Sequence, residues 1–122
     1  MKNVKDEVFA ALQTVCGNVS DVYPTTWVSL PTIQYTEEDN RVYERTENKE
    51  DKASVRYRID IWDFESTSKT AQAVDAAIAA LGLVRTGCRD VPDPSGMRHK
   101  EMRYEGIIDM DSDIVYWNGN NY

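Results

Sequence analysis

The side chains able to do chemistry in this sequence are few and scattered. His99 is the single histidine, set between Arg98 and Lys100 beside the turn Val91-Pro92-Asp93-Pro94-Ser95-Gly96. A hydrolytic triad or an imidazole general base would have to be built on it. No apolar run nearby implies a pocket, so a surface histidine at a strand start is the expectation. Cys16 and Cys88 show neither CxxC nor other metal spacing, and a zinc set drawn from them, His99 and a carboxylate would be dispersed along the chain. Two reduced, partly buried thiols are expected instead. Gly82-Leu83-Val84-Arg85-Thr86-Gly87 has the glycine spacing of a phosphate loop but continues as Cys88-Arg89. That motif needs Lys-Ser/Thr there, and a strand rather than a helix before it. Asp109-Met110-Asp111-Ser112-Asp113 opens like a calcium loop but has Ile114 in place of the glycine and Asn120 in place of the final glutamate, so weak cation binding is the most it suggests. Arg56, Tyr57, Arg58 and Trp62 interleave charge with aromatics, as a base-stacking platform does. Strand alternation, however, sends Tyr57 to the opposite face from the other three. The expectation is no enzyme: no catalytic residues, no cofactor and no metal site.

Composition narrows the partners. The 122 residues carry 21 acids against 14 bases, a net charge of −7, which disfavours gripping a nucleic-acid backbone or lying on anionic lipid. At 41% hydrophobic and 29% charged the chain is globular in type and long enough for one domain with a real core. The start, Met1-Lys2-Asn3-Val4-Lys5-Asp6-Glu7, has acids where a signal peptide needs an apolar run, so folding in a cytoplasm is expected.

The elements follow from periodicity. Val4, Val8, Leu12 and Val15 recur at helical spacing over residues 3–16, with Asn3 as cap and Gly17 as stop. An apolar loop from Asn18 to Pro31 precedes a short strand, Thr32 to Thr36. Residues 37–52 hold seven acids and four bases with only Val42 and Tyr43 as large apolar residues, which reads as a solvated excursion, either a long hairpin arm or a loop. Ser54 to Asp63 alternates clearly: Val55, Tyr57, Ile59 and Ile61 point one way, and Arg56, Arg58, Asp60 and Trp62 the other. Ser66-Thr67-Ser68 caps a second helix to about Leu81, with Ala71, Val74, Ala77, Ile78 and Leu81 as its buried stripe and Gly82 as its stop. Strands are expected at 83–90 and 98–110, then a base-free acidic tail from about residue 111. The predicted fold is α+β: an antiparallel sheet of about four strands with both helices packed on one face.

The order helix, Tyr23-Pro24, Leu30-Pro31-Thr32-Ile33-Gln34-Tyr35, charged excursion, Val55-Arg56-Tyr57-Arg58-Ile59-Asp60-Ile61-Trp62, alanine-rich helix and closing strand resembles the tail-terminator (tail-completion, head–tail joining) proteins of long-tailed bacteriophages. The resemblance covers roughly residues 4–110. It implies a structural virion protein at the head-proximal end of the tail, assembled in the host cytoplasm as a ring, commonly a hexamer. Such a ring caps the tail tube and docks the head connector, and DNA passes through it without specific binding. No membrane is involved. Within that frame Arg41, Tyr43, Arg45, Arg56, Arg58 and Trp62 are candidates for a partner surface, arginine and tryptophan being common interface anchors. Asp109, Asp111 and Asp113 are candidates for a channel-facing acidic lining. The alternatives are another neck or connector protein of the same particle, or a small acidic inhibitor that mimics DNA.

Overall fold

Asn3 starts the first helix, its side-chain oxygen accepting the Asp6 amide at 3.1 Å, while Asp6 and Glu7 sit in the first turn, where the helix dipole favours them. The computed structural model describes residues 3–24, 30–46, 49–109 and 111–116, with the backbone alone for 44–46 and 49–51. Helix α1 (Val4–Gln13) buries Val4, Val8 and Leu12. It ends before Val15 and Gly17 because Thr14 closes it, its amide and hydroxyl both donating to the Ala11 carbonyl. Strand β1 (Val19–Ser20) follows, and β2 (Thr32–Thr46) and β3 (Lys49–Asp63) form a long hairpin. Helix α2 (Ser68–Ala79), β4 (Val84–Val91), β5 (Arg98–Asp109) and β6 (Val115–Tyr116) complete the chain. The Leu30–Pro31 peptide is cis.

The sheet runs β1-β2-β3-β5-β4, and β6 pairs with β5 at Ile107 and Ile108, beyond the stretch that β4 occupies. It therefore has six strands rather than about four. It is also mixed rather than antiparallel, because β1 runs parallel to β2. Both additional strands are two residues long, too short for any alternation to show. Of the two readings of the charged excursion, the hairpin arm holds and the loop does not: the strands continue through it, with Arg41 opposite Ser54, Glu44 opposite Lys52 and Arg45 opposite Glu50. Past Lys52, which faces Asp109 on β5, β2 and β3 pair only with each other among the described residues.

Alternation in β3 divides the two faces as predicted. Val55, Tyr57, Ile59 and Ile61 are all buried and join Met102 and Tyr104 of β5, Ile33 and Tyr35 of β2 and the stripes of both helices in one core. Their cross-strand partners follow the same parity, Tyr57 facing Tyr104 and Ile59 facing Met102. Two tyrosines extend polar tips to the rim of this core: Tyr57 donates to Glu37 at 2.6 Å and Tyr104 to Asp75 at 2.7 Å. Burial, then the neighbouring carboxylates, pushes both phenols above their usual range.

Gly82 ends the α2 region in the left-handed conformation, φ +95°, and a Cβ there would lie 2.3 Å from the Val115 carbonyl oxygen of β6. Gly82→Ala is therefore expected to cost roughly 1–3 kcal/mol and to raise hydrogen exchange at Val115 and Tyr116. Gly96→Ala is the control, since Gly96 shares the conformation (φ +81°) but meets nothing within 4 Å. Equal destabilisation by the two substitutions, with unchanged exchange in β6, would remove the steric part of this account.

Candidate functional site

The face of the sheet turned away from the helices carries the second set of alternating residues. Along β3 these are Arg56, Arg58, Asp60 and Trp62; along β5 they are Glu105, Arg103, Glu101 and His99, each directly opposite its counterpart. This register sets Arg58 against Arg103 and Asp60 against Glu101, two like-charge pairs that would repel if left alone. They are neutralised along the strands instead. Arg58 Nε lies 2.9 Å from Asp60, and Arg103 Nη1 pairs closely with Glu101. Arg89 on β4 adds a contact to Glu101 at 3.2 Å.

Glu38 joins the arginines. A β-bulge between Glu37 and Asp39 leaves Glu38 without an opposing residue, and its carboxylate reaches across the sheet. Arg103 grips it through Nε at 2.9 Å and Nη2 at 3.2 Å. Arg58 Nη1 stands 3.6 Å away and Arg56 Nε 3.3 Å away. The Arg56 contact is an ion pair off the hydrogen-bond direction, since Arg56 Nε is buried without a hydrogen-bond partner. Burial works against the Glu38 charge, but the Arg103 hydrogen bonds and the three positive charges outweigh it and hold the carboxyl below its ordinary value. Glu101 is lowered by the same balance, with Arg103 and Arg89 overcoming burial.

At one end of this face lies an aromatic clamp. His99 stacks on Trp62 with ring centroids 4.4 Å apart and planes 16° from parallel, while Tyr23 meets the other ring edge-on at 5.7 Å. Trp62 Nε1 donates to Asp93 at 3.0 Å, and His99 Nε2 lies 2.8 Å from Asp60. The other imidazole nitrogen, Nδ1, faces Asp93 at 3.7 Å. Asp93 is itself fastened by the amide and hydroxyl of Ser95. Against the cost of burial, the bonds from Ser95 and Trp62 and the nearby His99 keep the Asp93 carboxyl below its usual range.

These positions correct two expectations. Trp62 is 2% exposed, so it is a buried support of this face and not an exposed partner anchor. His99 is not a surface histidine: its side chain is 12% exposed and held between two carboxylates. With both ring nitrogens turned to acids and the Ser95 hydroxyl engaged by Asp93, the arrangement is a clamp joining the Asp93 turn to the sheet. A shallow pocket of about 240 Å³ opens beside it, between Tyr23, Gln34 and Arg58.

Of the other predicted partner residues, Arg56 and Arg58 share the outer face of β3 with Trp62, while Arg41 and Tyr43 lie farther out on the hairpin. Arg41, largely exposed, pairs with Asp39 at 3.1 Å. Tyr43 is exposed and is the unopposed residue at a second bulge, between Val42 and Glu44. The Arg45 side chain lies outside the described residues. Arg56 and Arg58 keep partly exposed side chains, but both are engaged by Glu38. Of the predicted acidic lining, Asp111 and Asp113 are exposed, whereas Asp109 folds its carboxylate onto the amides of Asp111 and Ser112 at 3.0 and 3.2 Å. Those two backbone bonds draw its carboxyl below the ordinary value. The chain then turns through Asp113, φ +59°, into β6; the supposed tail thus returns to the sheet, and 117–122 lie outside the described residues.

Cys16 is half-buried, its thiol directed at the Pro31 carbonyl at 3.6 Å and pushed up in pKa by burial. Cys88 is exposed on β4 rather than partly buried. No group of three or more histidine, cysteine or carboxylate side chains is arranged to hold a metal ion among the described residues, and no helix among them is long and apolar enough to cross a membrane. Comparison with known protein families and with curated proteins returns no match for this chain.

Proposed function

We propose that this chain is a structural virion protein of a long-tailed bacteriophage: a tail terminator whose copies form a ring, a hexamer, that caps the tail tube and receives the head connector. The observation that carries this reading is the hairpin arm. Its strands are 15 residues each, they extend past the last pairing with β5 at Lys52, and they expose Val42 and Tyr43. Apolar side chains on a paired, twisted arm suit insertion against a neighbouring subunit or the tube. Among the described residues the sheet also has two open edges, β4 on one side and β2 beyond its short pairing with β1 on the other, which suits a ring subunit with different neighbours on its two sides. Asp111 and Asp113, exposed at the β5–β6 turn, would keep passing DNA from adhering if turned to the channel.

Electron microscopy of particles from a phage lacking this chain tests the reading. Abnormally long headless tails are the expected result, and ordinary tails beside unjoined heads would assign it to the connector instead. A protein that stays monomeric and is absent from purified particles would end the virion reading altogether. For the arm, Val42→Asp combined with Tyr43→Asp is expected to change stability by only about 0.5 kcal/mol, both sites being exposed, yet to weaken ring assembly by at least about tenfold. The check is sedimentation of assembled and unassembled material; unaltered assembly would remove the arm from the interface.

A further inference from the structure

The pleat of β5 puts Arg98 and Lys100 on the same side as Met102 and Tyr104, the side on which α2 lies. There the start of β5, the end of β4 and the first turn of α2 enclose a cleft of about 520 Å³, lined by Ser66, Thr67, Ser68, Arg98, Lys100 and Asp90 among others. The first-turn amides of a helix have no partner within it and carry the positive end of its dipole. The Ser68 amide is taken by the Ser66 hydroxyl at 3.2 Å, and no acid occupies the first turn of α2.

A helix start of this kind is common, and a second feature distinguishes this one. Thr67, at the N-cap position, is 5% exposed. Its hydroxyl makes no capping bond and no other hydrogen bond among the described residues. Among the described residues the sealed side-chain atom without a partner is Arg56 Nε, so the Thr67 hydroxyl keeps some access to its surroundings, and Thr67 lines the cleft. No protein group among the described residues partners this hydroxyl, and a ligand oxygen in the cleft would do so. Arg98 is exposed and has no ion-pair partner among the described residues; Asp63, opposite it on β3, accepts the Glu65 amide instead. Lys100 is tied to Asp90 at 3.0 Å, but the Asp90 side chain is 81% exposed, so its carboxylate can turn to water when another anion takes its place.

We infer that this cleft binds a phosphoryl oxyanion. The Thr67 hydroxyl donates from the helix side, where the positive end of the α2 dipole adds to it, and the Arg98 guanidinium donates from the strand side. Hydroxyl and guanidinium donors lining one cleft at a helix start suit a tetrahedral oxyanion with several acceptor oxygens. Its source is either a small phosphorylated molecule or the backbone phosphate of a nucleic acid. The inference stands on these residues alone and does not depend on the virion reading.

The test is an NMR titration of the ¹⁵N-labelled full chain with inorganic phosphate, ionic strength being held constant with chloride. Saturable shifts at the Ser68, Lys69 and Thr70 amides are expected. Thr67→Val and Arg98→Gln should each weaken binding by about tenfold or more, while Thr67→Ser retains it. Should Thr67→Val fail to fold, the exposed Arg98→Gln carries the comparison. Parallel titrations with a nucleoside monophosphate and with a short DNA duplex identify the source: tighter binding of the first assigns a small ligand, tighter binding of the second a backbone phosphate. No saturable response to any of the three probes, equal shifts with chloride alone, or undiminished binding by the Arg98 and Thr67 variants would overturn the inference.

Discussion

Trp62→Ala is expected to destabilise the protein by about 3–5 kcal/mol, the range for removing a large aromatic from a packed site. The indole is 2% exposed, stacked with His99 and in edge contact with Tyr23, and anchored to Asp93 through its N–H. Truncation leaves a cavity beneath Tyr23, removes the surface on which His99 stacks, and deprives Asp93 of a hydrogen bond. Trp62→Phe separates these contributions: the ring persists, and the loss should fall to about 1–3 kcal/mol, the cost of leaving a buried polar partner unbonded. Urea unfolding measures both, and an unchanged dependence on urea concentration would show that the native state itself is destabilised. A loss below about 1 kcal/mol for the alanine variant would restore Trp62 to the role of a docking residue that the core does not need.

Glu38→Gln should have the second largest effect, about 2–3 kcal/mol. The usual penalty for breaking a buried ion pair is about 3–5 kcal/mol, reduced here because the arginines reach solvent. The substitution leaves Arg56, Arg58 and Arg103 facing one another without their common counter-charge. In a double-mutant cycle with Arg103→Gln the coupling should reach about 1–2 kcal/mol, and salt should erode it. Additivity within about 0.5 kcal/mol would mean that the bidentate contact contributes nothing specific.

The same residues set the acid limb of stability. Glu38, Glu101 and Asp93 all have folded-state carboxyls held below their ordinary values of 4.5, 4.5 and 3.8. Below those values the unfolded chain takes up protons that the folded one resists. Their contribution is therefore complete above about pH 5 and is lost as pH falls through the depressed folded values. Glu38→Gln should flatten this limb as well as lower the plateau. An acid limb of unchanged steepness would assign the pH dependence to other carboxylates.

How far the sequence speaks differs from element to element. Both helices and the two faces of β3 were legible, because each buries one side and burial imposes a period on Val4, Val8 and Leu12 and on Val55, Tyr57, Ile59 and Ile61. The outer half of the hairpin stayed open between an arm and a loop, since beyond Lys52 neither strand has a third strand beside it among the described residues and polar residues suit both its faces. Strands β1 and β6 were hidden by their length of two residues. For the candidate site, Arg56, Arg58 and Trp62 could be read onto one face of β3, but what surrounds them could not. Glu38 enters through a bulge that has no sequence signature, and Asp93 arrives from a turn 31 residues away from Trp62.

By itself, the sequence determined the net charge of −7, the kinds of side chain available, and which residues of each amphipathic element go inward. Those are local properties, fixed by composition and by the period of helix or strand. Only the tertiary structure decided what the outward residues meet: that His99 lies on Trp62 between two acids, that three arginines converge on Glu38, and that Thr67 and Arg98 border one cleft. The physical reason is that these contacts join residues far apart in the chain. Their meeting depends on strand register and on one bulge, and a shift of a single residue in either would send each side chain to the other face.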